Sequence, residues 1–278
     1  MKDEVRSFWT ANPLGTLDLD AQVGTREFFE AHEKMLEADA LKYSRPRFRF
    51  DGLVGKQVLD VGCGPGILLR NYARGGARIT GIDLTHTAAR IAHTSLREFE
   101  LPGCVSVADA ECIPFSDDTF DFVCCCGVLH HTPDTQQGFN EIYRVMKPGA
   151  RAVIALYYRN ALLRPGAWRF AHALYNLLGV RPRGRDGMSQ AKSVEDFVRG
   201  WDGDGNPLGK VYSREQALAL CGAFSVEGTY LHFFPLRFMP FGRWVPDVVH
   251  HALDRTLGMM IYLELKKPDP CPAPPTDR

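Results

Sequence analysis

Short, nearly continuous apolar runs alternate with amphipathic stretches through the middle of the chain. KQVLDVG (56–62), ARITGID (77–83), CVSVAD (104–109), FDFVCCC (120–126) and RAVIALYY (151–158) read as strands buried on both faces. Between them, ILLRNYAR (67–74), HTAARIAHTSLREFE (86–100), opened by a Thr85 cap, and TQQGFNEIYRVMKPG (135–149), stopped by Pro148 and Gly149, read as helices. This alternation predicts right-handed βαβ crossovers and an α/β fold with a doubly wound, mostly parallel sheet. The flanks differ. GTREFFEAHEKMLEADALKY (24–43) has helical periodicity, and ALLRPGAWRFAHALYNLLG (161–179) is an apolar helical stretch before a turn-rich segment, DGDGNPLG (202–209). SREQALALCG (213–222) predicts a helix, and FSVEGTYL (224–231) and MMIYLELKKP (259–268) predict two further strands. The expected organisation is an N-terminal helical lid (1–50), a ligand-binding core (51–158), a helical cap (159–212), a C-terminal completion of the core (213–268) with an aromatic lid segment at 232–257, and a disordered proline-rich tail (269–278).

Composition removes several classes of function. Lys and Arg total 33, as do Asp and Glu, so no net charge draws the chain to a phosphate backbone, and nucleic acid is a poor substrate. Arg181, Arg183 and Arg185 read as a solvated loop. The opening MKDEVRSFWT has no apolar signal region, and no run of about 18 apolar residues predicts a membrane span. The eight cysteines include no Cys-x-x-Cys pair and no zinc-ligand spacing, so no metal is expected and a reducing cytoplasm fits. Cys124, Cys125 and Cys126 read as strand core, and Asp117 and Asp118 as a solvated turn.

Chemistry concentrates at strand ends. The strand in VLDVGCGPG (58–66) runs into Gly62, Gly64 and Gly66, and a helix follows. Glycines permit a sharp turn and close approach of a ligand to backbone. Their Gly-x-Gly-x-Gly spacing is neither the dinucleotide pattern nor a P-loop, which argues against an NAD-dependent oxidoreductase. Asp83, 17 residues past Gly66, ends the second strand, where a carboxylate can accept from both hydroxyls of a ribose. Asp109 ends the third and can accept from an exocyclic amine.

VLDVGCGPG, GIDLT, DAECIPFSDDTFDFV, GVLHHTPD and RVMKPGARAVI together resemble the class I S-adenosylmethionine-dependent methyltransferases, in particular the small-molecule branch with ubiquinone/menaquinone-type enzymes. The likeness covers about residues 56–157. It implies a Rossmann-like seven-stranded sheet with the last strand antiparallel. The cofactor it implies is S-adenosyl-L-methionine, with S-adenosyl-L-homocysteine as product. It implies that Gly62, Cys63, Gly64 and Gly66 admit the methionine and ribose part, that Asp60 supports the loop and reaches the amine through water, and that Asp83 holds the ribose hydroxyls. Asp109 and Ala110 would hold adenine, with Ile82, Leu84 and Cys112 as its walls, and Cys126 and Gly127 would accept from the methionine amine.

The expected reaction is in-line methyl transfer to a small, hydrophobic or aromatic organic acceptor, driven mainly by proximity, with the accepting atom undetermined. His131, and after it His130, are the candidates for a base. Tyr157, Tyr158, Phe8, Trp9 and Phe233 are candidates for the acceptor pocket, among many lid aromatics. The segments ALLRPGAWRFAHALYNLLG and FFPLRFMPFGRW suggest the alternative of a lipid-like acceptor met at a membrane surface, without a spanning segment. A non-catalytic S-adenosylmethionine-binding protein and an aminopropyl transferase are further alternatives, the last disfavoured because GVLHH lacks acidic residues. Oligomeric state is not legible.

Overall fold

The computed structural model describes residues 1–239 and 241–269. The remaining tail, expected to be disordered, lies outside the described residues. Seven strands form one sheet: β1 (Gln57–Val61), β2 (Arg78–Asp83), β3 (Cys104–Val107), β4 (Phe120–Cys126), β5 (Met146–Tyr157), β6 (Ser225–His232) and β7 (Met260–Lys266). Their order is β3-β2-β1-β4-β5-β7-β6. β7 runs antiparallel to both of its neighbours and the other adjacent pairs are parallel. The strand order reverses between β1 and β4, and a sheet of this kind opens a crevice at that point, outside the carboxyl ends of its strands.

Nine helices accompany the sheet among the described residues: α1 (Lys2–Ala11), α2 (Arg26–Ala38), α3 (Ile67–Arg74), α4 (His86–Glu98), α5 (Thr135–Val145), α6 (Pro165–Leu177), α7 (Val194–Arg199), α8 (Arg214–Ala219) and α9 (Asp247–Leu257). The two sheet faces carry separate apolar layers. One gathers Val58, Tyr72, Phe122, Cys124 and Tyr262; the other gathers Leu59, Val123, Cys125, Phe139 and Leu263. Alternation along β4 thus sends Cys125 to one face and Cys124 and Cys126 to the other.

Local chemistry sets the helix starts. Thr25, Thr85, Asp134 and Ser193 each accept a backbone N–H of the first turn, and Ser213 forms a full capping box with Gln216. One expected helix end is corrected. α5 stops at Val145, and Pro148 and Gly149 belong to β5. Met146 is already extended (ψ 138°), and a proline at 148 bars Lys147 from helical geometry. The strand bends there, with a register shift opposite Phe120–Phe122.

α2 is anchored to the core by charge. The Arg70 guanidinium, fully buried on α3, donates to Glu33 (3.0 Å) and to the Phe29 carbonyl (3.2 Å), and also meets Ser95. Arg74 joins it on Glu33. Burial alone would raise the Glu33 carboxyl, but Arg74 and Arg70 outweigh it and hold it below its usual range. This fixes α2, and the inward face bearing Phe28, Phe29 and His32, against α3 and α4.

Candidate active site

β1 delivers the chain into the glycine loop. The N–H groups of Gly62 and Cys63 both donate to the Ile82 carbonyl, at 2.8 and 2.9 Å, which ties the loop to the end of β2. Gly62 has φ +71°, and a Cβ there would lie 2.2 Å from a Val128 methyl. Gly66, at φ +85°, caps α3, and a Cβ would press on the Ala92 backbone at 3.2 Å. Gly66 thus supports helix packing and is not among the residues lining the crevice.

A cavity of about 300 Å³ opens at the strand ends. Of the residues expected at a cofactor site, Asp60, Gly62, Cys63, Gly64, Asp83, Leu84, Asp109, Ala110, Cys126 and Gly127 line it, as does Ile82. Cys112 is exposed and does not. Asp83 accepts from Gly64 N–H (3.1 Å) and from the Thr85 N–H and hydroxyl (2.9 and 3.0 Å). A carboxylate offers about four acceptor positions, so Asp83 keeps capacity for a ligand hydroxyl. Asp60 is 1% exposed, and its Oδ2 meets no partner. Burial, and Asp83 beside it, push its carboxyl up to about 8. Asp109 lies two residues beyond β3 and accepts from Glu111 N–H (2.9 Å) and from Lys2 Nζ (2.6 Å). Lys2 also meets Glu111 at 2.5 Å, so α1 is pinned over this end of the cavity.

The histidines after β4 sit in different roles. His130 Nδ1 accepts from Tyr157 N–H at 3.1 Å, which leaves the proton on Nε2, and that nitrogen has no partner. Burial holds His130 far below the usual imidazole range, so it is a neutral donor. His131 Nδ1 faces the Leu208 carbonyl at 2.6 Å, and its Nε2 faces Asp202 at 3.2 Å. Tyr157 donates its hydroxyl to Asp202 at 2.8 Å, and Asn206 donates its side-chain amide N–H there at 3.2 Å. Neither histidine therefore presents a free basic nitrogen, in contrast to the base role expected of His131. Among the other expected pocket residues, Trp9, Tyr157 and Phe233 line the cavity. Tyr158 does not: one residue on from Tyr157, it packs into the opposite apolar layer. Phe8 is buried behind Trp9, edge-on to its ring at 5.3 Å.

The roof comes from three distant parts of the chain. Arg185 donates twice to Asp18, both at 3.0 Å, Arg237 lies 3.9 Å from Asp18, and Arg237 pairs with Asp39 at 3.0 Å. Asp18, Arg185, Arg237, Asp202, Trp201, Lys2 and His32 all line the cavity and were not singled out as site residues in the sequence. His32 carried one available signal: a histidine four residues from Phe28 and Leu36 on an otherwise apolar helix face. Among the described residues, no group of three His, Cys, Asp or Glu side chains is placed to hold a metal, and no helix is long and apolar enough to cross a membrane.

Comparison with known proteins agrees with this geometry. A methyltransferase-domain family model matches residues 59–154. A ubiquinone biosynthesis O-methyltransferase of Azoarcus sp. is 32% identical over 174 residues, 58% of this chain and 73% of that protein. The chain belongs to the class I S-adenosylmethionine-dependent methyltransferases. A protein of the same description from Alkalilimnicola ehrlichii is 35% identical over 142 residues, half of this chain. The chain spans about half the length of that relative, 56%. Geranyl diphosphate C-methyltransferase of Streptomyces coelicolor shares the fold, with a TM-score of 0.57 at 13% identity, covering 96% of this chain and 98% of that one. S-Adenosylmethionine is the cofactor of this family, and the glycine loop, the free oxygen of Asp60 and the spare capacity of Asp83 suit it.

The roof should be sensitive to one carboxylate. Asp18→Asn leaves the Arg185 guanidinium, 5% exposed, without its charge partner. A loss of about 3 kcal/mol is expected, or roughly 6–12 °C in Tm. Thermal unfolding of Asp18→Leu/Arg185→Met, which removes both charges, should recover most of it.

Proposed function

We propose that the protein transfers a methyl group from S-adenosylmethionine to a small acceptor with an apolar body. The observation that carries this is the convergence of the glycine loop, Asp60, Asp83 and Asp109 at the floor of one cavity whose wall also carries Trp9, Trp201, Phe233, Met260 and Tyr262. When bound, S-adenosylmethionine supplies an electrophilic sulfonium methyl. Asp60 would face the ammonium group, directly or through water, and Asp83 the ribose hydroxyls. Asp109 and Ala110 would take the adenine end once Lys2 yields or shares its carboxylate. Trp9, Trp201, Phe233, Met260 and Tyr262 would enclose the acceptor. His130 Nε2–H would orient it as a donor. With neither His130 nor His131 free to act as a base, the chain's contribution is alignment and exclusion of water. The free cysteines suit a reducing compartment such as the cytoplasm.

A second reading, that the acceptor is lipid-like and met at a membrane surface, has its own support. Phe170, Leu174, Leu177 and Leu178 form one exposed face of α6 and its end, with Phe170 at 74% and Leu177 at 83%. Residues 159–185 hold six arginines and no acid. Arg164, Arg169 and Arg181 are exposed and form no salt bridge among the described residues. Phe241 and Trp244 stack in the open at 5.4 Å. Apolar contact flanked by arginine is what an anionic bilayer surface takes.

Titration calorimetry should show S-adenosylhomocysteine binding to the wild type and at least a tenfold loss in Asp83→Ala; equal affinities would remove Asp83 from the site. Asp60 sets the pH dependence. Its carboxyl is neutral in the free protein below about 8, and a cationic ligand group favours the carboxylate. Binding therefore releases a proton, and affinity rises with pH up to about 8, where the free carboxyl is itself ionised. Asp60→Asn should flatten that slope. Vesicle cosedimentation should capture the chain on phosphatidylglycerol-containing liposomes and not on pure phosphatidylcholine, and Phe170→Ser/Leu177→Ser should abolish capture.

A further inference from the structure

The His32 ring packs beside Phe28, but nothing in the fold uses its nitrogens. It is 1% exposed on the inward face of α2, it lines the cavity, and neither Nδ1 nor Nε2 meets a hydrogen-bond partner. Leaving both nitrogens of a buried imidazole unmatched costs more than replacing it with an apolar ring. The neighbouring chain makes room for it. Gly15 passes directly over the ring at φ +86°, where a Cβ would lie 2.8 Å from Nε2, so a side chain at position 15 would collide with the imidazole. Desolvation, and after it the Arg70 guanidinium, hold His32 down at about 4, so it is neutral at ordinary pH. A neutral imidazole offers one N–H and one lone pair. Its companions on the wall, Asp18 and Arg237, come from the roof, whereas the glycine loop, Asp60 and Asp83 form the floor.

We propose that His32 is a specificity-determining residue that hydrogen-bonds the methyl acceptor, at a group remote from the reacting atom. That group is uncharged and both donates and accepts, as a carboxamide or hydroxyl does. An acceptor with an ammonium group there is disfavoured: of the charges around the ring, the Arg70 guanidinium outweighs the Asp18 carboxylate, which Arg185 already engages, and Arg237 adds a second positive charge. The proposal rests on the methyltransferase reading and adds the residue that selects the acceptor.

The test uses the full chain saturated with S-adenosylhomocysteine. Quenching of tryptophan fluorescence, with Trp9 and Trp201 on the cavity wall, reports binding of three probes: para-hexylbenzamide, para-hexylphenol and para-hexylbenzylamine. Wild type should bind the two neutral probes at least tenfold more tightly than the amine. His32→Phe should lose that preference by weakening the neutral probes, while His32→Asn, which keeps a donor and an acceptor, should retain it. Affinity for S-adenosylhomocysteine should stay within twofold in both variants, and the Tm of His32→Phe should equal or exceed that of wild type. An unchanged preference in His32→Phe overturns the proposal, as does the absence of any preference or of any probe binding in wild type. A parallel loss of S-adenosylhomocysteine affinity would place His32 on the cofactor and overturn it too. Failure of wild type to bind S-adenosylhomocysteine at all would instead strike the methyltransferase reading.

Discussion

Asp18 accepts both arms of the Arg185 fork, lies within 4 Å of Arg237, and so joins a string of charges that ends at Asp39. The four residues come from the segment after α1, the stretch after α6, the loop after β6 and the end of α2. Their charges cancel. A bare guanidinium or carboxylate at this depth would be costly, so each segment is held in place by what the others present. That mutual requirement makes one roof of additions that have no common sheet or helix bundle. It also buries side chains at the strand ends beneath the roof, Asp60 and His130 among them.

Burial sets the protonation states below. Asp60, with no partner for Oδ2, is neutral up to about 8, and His130 and His32 stay neutral because burial penalises their charged forms. Glu33 behaves in the opposite way. Two arginines reach it, and the ionised form wins despite burial. The contrast shows what decides each case. Where the chain brings a counter-charge, as the arginines do for Glu33, the ionised form is held; where it brings none, as for Asp60, burial keeps the group neutral.

The sheet and the floor of the site were largely legible in the sequence because their chemistry is local. A buried strand, three glycines and a helix start lie within a few residues, and Asp83 follows at the end of the next strand. Seven strands with β7 antiparallel were expected from the family resemblance, and the sheet has that form. The roof was not legible. Asp18 and Arg185 are 167 residues apart, and Lys2 and Asp109 are 107 apart, and no periodicity links such pairs. The end of α5 was misplaced because Pro148 marks where a helix cannot be, while the chain had already turned extended at Met146. Tyr158 was misassigned for want of a register. Neighbours on a strand face opposite ways, and which one enters the cavity depends on pairings across the sheet.

The division between floor and roof also separates two kinds of specificity. Floor contacts belong to backbone turns and strand ends, which the sheet holds rigidly and which suit a cofactor common to many enzymes. Roof contacts belong to side chains on segments outside the sheet, tied to one another by charge and to the core at a few points such as Arg70–Glu33 and Lys2–Asp109. Changing one of them alters what fits without disturbing the sheet. His131, engaged by Leu208 and Asp202, helps hold the cap segment in place, and His130 is committed as a donor by Tyr157. What the cavity can admit then depends on the shape of its apolar wall and on the few buried polar atoms still unmatched, and much of both belongs to segments outside the sheet.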